Sequence, residues 1–448
     1  MRQVTSRRNG AINGDGNKLS PQDQPAHDWF RFVLSYPPHL VRDYLEKFDI
    51  GKTQCVLDPF CGTGTTLVEC KKFGVASVGV EANPIAHFAS QVKLDWSITG
   101  GGLLKHATAI AEQAWDTLQR EGIADDPCDA KNSLFSNVRV NRACKKENLR
   151  TISPEKMKLL LGHSISLLPL HKTLLLIDHL DSTKRTSFHR HEMLALAKAL
   201  VFSISNLHFG PEVGIGKPKQ DAAVISPWIN EVRRMATDLE TLRPLHKTSS
   251  VVHHADSRHL GQAVKPCSID AVITSPPYPN EKDYTRTTRL ESVLLGFVNN
   301  KDELRAIKKG LVRSNTRSVY KEDTDDQWVA QNTRIQKIAR DIEARRIELG
   351  KTSGFERMYH RVTKLYFGGM ARHFAELRTI LKPGARLAYV VGDQASYLRV
   401  MIRTGQLLAE IAESLGYEVL GIDLFRTRLS TTTKDYLREE VVLLRWPG

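Results

Sequence analysis

Ser275, Pro276, Pro277 and Tyr278 form a tetrapeptide that can grip a flat, hydrogen-donating group. The serine hydroxyl and the Pro276 carbonyl are acceptors, adjoining prolines keep them aimed, and Tyr278 offers a ring face for stacking. A second chemically suggestive stretch, Asp58-Pro59-Phe60-Cys61-Gly62-Thr63-Gly64-Thr65-Thr66, lies far earlier in the chain. Its glycines suit a tight turn at positive φ and let a ligand lie against bare backbone. A helix beginning at Thr65 adds free amides. Pyrophosphate loops do not fit. Leu67 stands where the dinucleotide pattern needs a third glycine, and no Gly-Lys precedes a Ser or Thr as a P-loop requires.

Each stretch needs a strand to deliver it. Cys55-Val56-Leu57 leads into the glycine loop, and Ala271-Val272-Ile273, opened by Asp270, leads into Thr274-Ser275. Ala76 to Val80 reads as a second strand ending at Glu81. A carboxylate there either accepts from both ribose hydroxyls of an adenosine or is an ordinary strand-end acid. Asn83-Pro84 then starts a helix, and Leu40 to Phe48 is amphipathic. Between residues 100 and 249 the sheet pattern stops, and Leu103 to Arg120, Pro154 to Leu170 and Met193 to Ser205 show helical spacing. Gly210 to Pro218 reads as a flexible basic loop. Strand patterns resume at Ser250, and His253 and His254 lack a third ligand for a metal. Residues 299–355 are densely charged. A helix over Tyr366 to Leu381, strands at Arg386 to Gly392, Tyr417 to Phe425 and Glu440 to Trp446, and a helix at Gln406 to Leu415 complete the chain.

The glycine loop closely resembles the S-adenosylmethionine loop of DNA amino-methyltransferases, and Ser275 to Tyr278 resembles their catalytic motif in its Ser-Pro-Pro-Tyr form. The resemblance covers about Trp29 to Asn83 and His253 to the end. It implies an α/β fold, a doubly wound mixed sheet of the class I S-adenosylmethionine-dependent (Rossmann-like) type, interrupted by a largely helical insertion. Carried over residue by residue, it implies that Asp58, Pro59, Phe60, Gly62, Gly64, Thr65 and Thr66 hold the cofactor with Glu81. Asp256, in Ala255-Asp256-Ser257-Arg258, would meet the cofactor's adenine amino group or, alternatively, cap a helix. The Trp29 to Val41 stretch, with its Pro37-Pro38, either packs over the methionine end of the cofactor or covers the sheet edge.

The chemistry implied is methylation of an exocyclic amine. Such an amine is a poor nucleophile because its lone pair is delocalised, and acceptors at Ser275 and Pro276 would pull its hydrogens and free the pair. A duplex hides the amine, so the base would be flipped out. Carbon methylation at cytosine C5 requires a cysteine thiolate, and the Ser275 loop has none. In the resembling family a first-position serine occurs mostly in cytosine-N4 enzymes, which implies cytosine N4. Adenine N6, an RNA amine and a catalytically silent DNA-binding protein are the alternatives.

Composition agrees with a polyanionic partner. The formal net charge is +14 over 448 residues, and double-stranded DNA is the expected partner, with a cognate restriction endonuclease beside it. Six scattered cysteines without a C-x-x-C pair argue against zinc ribbons and disulfides. No signal peptide or membrane-spanning run is visible, so a soluble cytoplasmic protein is expected. The expected organisation is a flexible basic tail (1–26), a first catalytic part (27–99), a helical insertion for target recognition (100–249) and a second catalytic part (250–448). Arg139, Arg142, Lys145, Lys146, Arg150, Lys184, Arg185 and Arg190 would face DNA or simply solvent. In the charged segment, Arg313, Arg317, Arg334, Lys337, Arg340, Arg345 and Arg346 would belong to a DNA-facing arm, a lid or a solvated helix.

Overall fold

A computed structural model of the chain describes residues 19–32, 35–125, 149–209, 212–280, 282–429 and 436–448. Arg139, Arg142, Lys145 and Lys146, like Val33, Leu34, Gly210 and Pro211, lie outside the described residues.

Seven strands form one sheet in the order β5-β2-β1-β6-β7-β9-β8. They are β1 (Cys55–Asp58), β2 (Ala76–Glu81), β5 (Ser250–His254), β6 (Ile269–Thr274), β7 (Leu381–Gly392), β8 (Glu418–Leu429) and β9 (Tyr436–Arg445). The strands from β5 to β7 run parallel, and β9 is antiparallel to both β7 and β8. This is the expected doubly wound mixed sheet closed by a C-terminal hairpin. The strand order reverses between β1 and β6, so the loops leaving their C-terminal ends open at the crevice where such sheets bind ligands.

Alternation along the strands assigns the faces. Val56, Ala271, Ile273, Ala388, Val390, Val441 and Leu443 pack against Leu40, Val41, Tyr44 and Leu45 of the helix Pro38–Lys47. Leu57, Val272, Leu387, Tyr389, Val391, Val442 and Leu444 face the other way, onto the helices Tyr359–Leu377 and Thr404–Ser414. A third core joins the helices Gly100–Arg120, His189–Ala199 and Ile225–Leu242 to Trp29, Phe30, Leu67 and Val68. The helical segment therefore shares its core with the helix that follows the glycine loop.

Several expectations need correction. The tail ends earlier than residue 26: Pro21–Asp23 is a helical turn, Ala26 and His27 are buried, and the Ala26 amide donates to Asp238. Pro154 to Leu170 is not one helix but Pro154–Met157 followed by Leu167–Ser182. The break falls where His163 takes φ +63° and its carbonyl accepts from Asn206. Within the stretch read as a loop, Val213–Ile215 is a strand (β4) that pairs antiparallel with Leu207–Phe209 (β3). Arg313 does not face outward. It is buried, forked onto Asp323, and it donates to the Lys308 and Lys309 carbonyls. Arg334, Arg345 and Arg346 pair with Glu410, Glu348 and Glu343.

Candidate active site

The loop after β1 turns on Gly62 at φ +52° and Gly64 at φ +85°. Gly64 caps the helix Thr65–Lys72, and a side chain there would have its Cβ 3.1 Å from that of Ser90. Strain and crowding both hold the position to glycine.

From the end of β6, Thr274 donates to Asp58 Oδ1 at 2.6 Å, which links the two loops behind their exposed surfaces. The next residue, Ser275, donates from Oγ to the Val390 carbonyl at 3.0 Å. Its hydrogen is thus directed at β7, which leaves the oxygen as an acceptor, and its side chain also meets that of Tyr278. The Asn280 amide donates to the Tyr278 carbonyl at 2.8 Å and closes the turn after the tetrapeptide. Tyr278 lies against Gly392, where a Cβ would come within 3.1 Å of its ring.

Both loops line one cavity of about 730 Å³. Pro59, Phe60, Gly62, Thr65, Glu81 and Asn83 contribute from one side, with Phe32 and Tyr36 from the N-terminal stretch. Ser275, Pro276, Pro277 and Tyr278 come from the other loop, and Lys308, Asn315, Phe425, Arg426 and Glu439 from later segments. The fold therefore brings the two loops together at one cavity. Pattern reading missed Asn315 and the hairpin residues Phe425, Arg426 and Glu439, which carry no motif. Tyr36 does carry a signal, since it belongs to the Trp29 to Val41 stretch just before Pro37-Pro38.

Some assigned residues face elsewhere. Asp58 is 0% exposed and is held by Thr274, by the Phe60 amide and by the Tyr36 hydroxyl at 3.0 Å. Thr66 donates to the Ile273 carbonyl and contacts Tyr36. Neither they nor Gly64 are among the residues lining the cavity, so they build the wall from behind. Asp256 is also absent from the lining. Arg258 takes both of its oxygens, and Arg258 is itself held by Asp325 at 2.5 Å. Asp256 thus stands in an internal ion pair, between two neighbours, Ala255 and Ser257, that do line the cavity.

Glu81 accepts from the Gly62 amide at 2.9 Å and the Asn83 amide at 2.7 Å. Burial pushes its carboxyl up to about 7, against the pull of those donors. Burial also raises the Cys61 thiol well above its ordinary value. No group of three or more metal-ligating side chains occurs among the described residues. No described helix is long and apolar enough to cross a membrane.

Residues 15–91 match the DNA methylase family model of N6 and N4 methyltransferases. The Type II methyltransferase M.BsoBI of Geobacillus stearothermophilus is 24% identical over 456 residues, covering 95% of this chain and 85% of that protein. The Type II methyltransferase M.AvaI of Nostoc sp. is 24% identical over 465 residues, covering 97% and 89%. The family model and the relatives together support placing the chain among the DNA amino-methyltransferases. Its methyl donor is S-adenosylmethionine, and its acceptor an exocyclic amine of DNA. Among solved structures, TrmN from Thermus thermophilus matches with a TM-score of 0.27 at 10% identity, covering 91% of this chain and 48% of that one.

The cavity suits that donor. A half-buried carboxylate ends β2 at the cavity, the loop at Gly62 leaves backbone bare, and Phe32, Tyr36 and Phe60 supply apolar walls.

Proposed function

We propose that this protein methylates the N4 amine of cytosine in double-stranded DNA at a specific site, as the modification partner of a restriction endonuclease. The observation that carries the reading is Ser275: a serine heads the tetrapeptide, and its hydroxyl hydrogen is already directed at the Val390 carbonyl. The oxygen is left as a pure acceptor, which suits an amine that must give up hydrogen-bond character toward the protein to free its lone pair.

In this reading Ser275 Oγ and the Pro276 carbonyl accept the amine's hydrogens. Pro277 stiffens the loop, and Tyr278 stacks on the extruded base. Pro59, Phe60, Gly62 and Thr65 cradle the donor, and Glu81 takes its ribose. Bound S-adenosylmethionine supplies a methyl on a positively charged sulfur, which an aligned amine can take in a single displacement. Attack at cytosine C5 finds no support: Cys61 lines the cavity, but burial keeps its thiol protonated. Site specificity is an extension from the Type II relatives, and target recognition is assigned to the helical segment 100–249, where Lys184 and Arg185 are exposed.

Nucleoside mass spectrometry of DNA from cells expressing the protein tests this directly. N4-methylcytosine is the expected product. N6-methyladenine would keep the mechanism and overturn the base, and the absence of any methylated base would overturn both.

A further inference from the structure

Two residues lining this cavity carry a buried polar atom without a partner among the described residues, Thr63 in the glycine loop and Asn315 on the side of the tetrapeptide. Asn315 is 4% exposed and lines the cavity. Its Nδ2 donates to the Lys282 carbonyl at 3.2 Å, which fixes the orientation of the amide, because a flipped side chain would set oxygen against oxygen. Its Oδ1 is buried with no hydrogen-bond partner among the described residues. A buried amide oxygen left unpaired costs about 1–3 kcal/mol, so its place at a ligand cavity points to a donor arriving with the ligand.

The position of Asn315 selects the ligand. The Tyr278 carbonyl accepts from the Asn280 amide, Asn280 Oδ1 accepts from the Lys282 amide, and the Lys282 carbonyl accepts from Asn315. A continuous chain of hydrogen bonds therefore runs from the catalytic tetrapeptide to this side chain. The preceding residue, Ser314, accepts through its carbonyl from Tyr397 at 2.9 Å, on the segment that follows β7. Asn315 is thus moored to the segments leaving β6 and β7. Glu81, assigned to the donor's ribose, is at the end of β2, on the other side of β1.

We infer that Asn315 is a further contact to the target base, its Oδ1 accepting a hydrogen from the exocyclic amine. This rests on the amine-methylation reading above. The amine carries two hydrogens. Ser275 Oγ and the Pro276 carbonyl, adjacent on one loop, take them, and Asn315 shares one of the two as a bifurcated acceptor from a separate segment. A base that presents a carbonyl in place of the amine would set oxygen against oxygen, so the residue also selects for amino-bearing bases.

The test compares two duplexes carrying the recognition sequence, one with the natural target base and one with its analogue lacking the amine (2-pyrimidinone for cytosine, purine for adenine). Affinity is measured for both in the presence of S-adenosylhomocysteine. The wild-type protein should prefer the amino-bearing duplex, and Asn315→Ala should lower that preference about tenfold while donor affinity by calorimetry stays unchanged. Should the alanine variant fail to bind the donor, Asn315→Ser, too short to reach the amine, undergoes the same comparison. Equal weakening of both duplexes would mark Asn315 as a structural residue and overturn the inference, as would an unchanged preference. A wild-type protein that methylates no amine in any duplex would instead sink the functional reading, and this inference with it.

Discussion

The hydroxyl of Thr274 donates to the carboxylate of Asp58 across 2.6 Å, and both residues are fully buried. Asp58 ends β1 and Thr274 ends β6, neighbouring parallel strands, so this bond, with that from Thr66 to the Ile273 carbonyl, ties the glycine loop to the Ser275 loop. Burial raises the Asp58 carboxyl, and its donors hold it down. Thr274→Val keeps the shape but removes a donor from a buried acid. It should cost about 1–3 kcal/mol of stability in urea unfolding. Because a small misplacement of reacting groups is amplified in rate, turnover should fall by about tenfold or more. An unchanged unfolding midpoint would mean that the bond does not hold the loops together.

Ser275 separates binding from chemistry. Its hydroxyl lies between the Val390 carbonyl and the cavity. Ser275→Ala removes the acceptor without touching Gly62 or Glu81. Single-turnover methylation should slow by about a hundredfold, while donor affinity by calorimetry holds. A variant that loses donor affinity in step with rate would place Ser275 at the donor instead.

Both loops were legible in the sequence because each follows an apolar run and uses residues with few other reasons to cluster: glycines at Gly62 and Gly64, prolines at Pro276 and Pro277. The direction of a side chain was not legible. Asp58 and Thr66 are of the right type and in the right place, yet they point to Thr274 and Ile273, because neighbouring strand ends supply the partners and those partners are distant in sequence. The charge run around Arg313 reads as a DNA-facing arm, a lid or a solvated helix, since its partner Asp323 meets it only once the turn folds. Asn315, Phe425 and Arg426 belong to segments joined to the cavity only by tertiary packing.

Asp256 illustrates the same limit and can be tested. Arg258, 6% exposed, bridges Asp256 and Asp325. Removing one member of a buried charge cluster leaves the others uncompensated. Arg258→Ala should therefore cost about 3 kcal/mol or more in denaturant unfolding, whereas Asp256→Asn should leave donor affinity unchanged. A large loss of donor affinity in Asp256→Asn, with stability intact, would restore the adenine contact.

With Glu81 on the ribose, as proposed, donor binding should be sensitive to pH. Its carboxyl rises from 4.5 to about 7 in the folded chain because burial disfavours the charge. Below pH 4.5 the group is neutral whether folded or unfolded. Between there and 7 the unfolded chain releases the proton and the folded chain keeps it, so the stability owed to the neutral form declines as pH rises through 7. The ribose hydroxyls want the carboxylate as acceptor, and donor affinity should move the opposite way, strengthening from pH 6 to pH 8. At pH 6, binding should release a proton, readable by calorimetry in buffers of different ionisation enthalpy. Glu81→Gln should flatten the profile, weaken donor binding at pH 8 by about tenfold, and melt at a higher temperature than the wild type at that pH in the absence of donor. A donor affinity that does not change between pH 6 and pH 8 in the wild-type protein would remove Glu81 from the ribose.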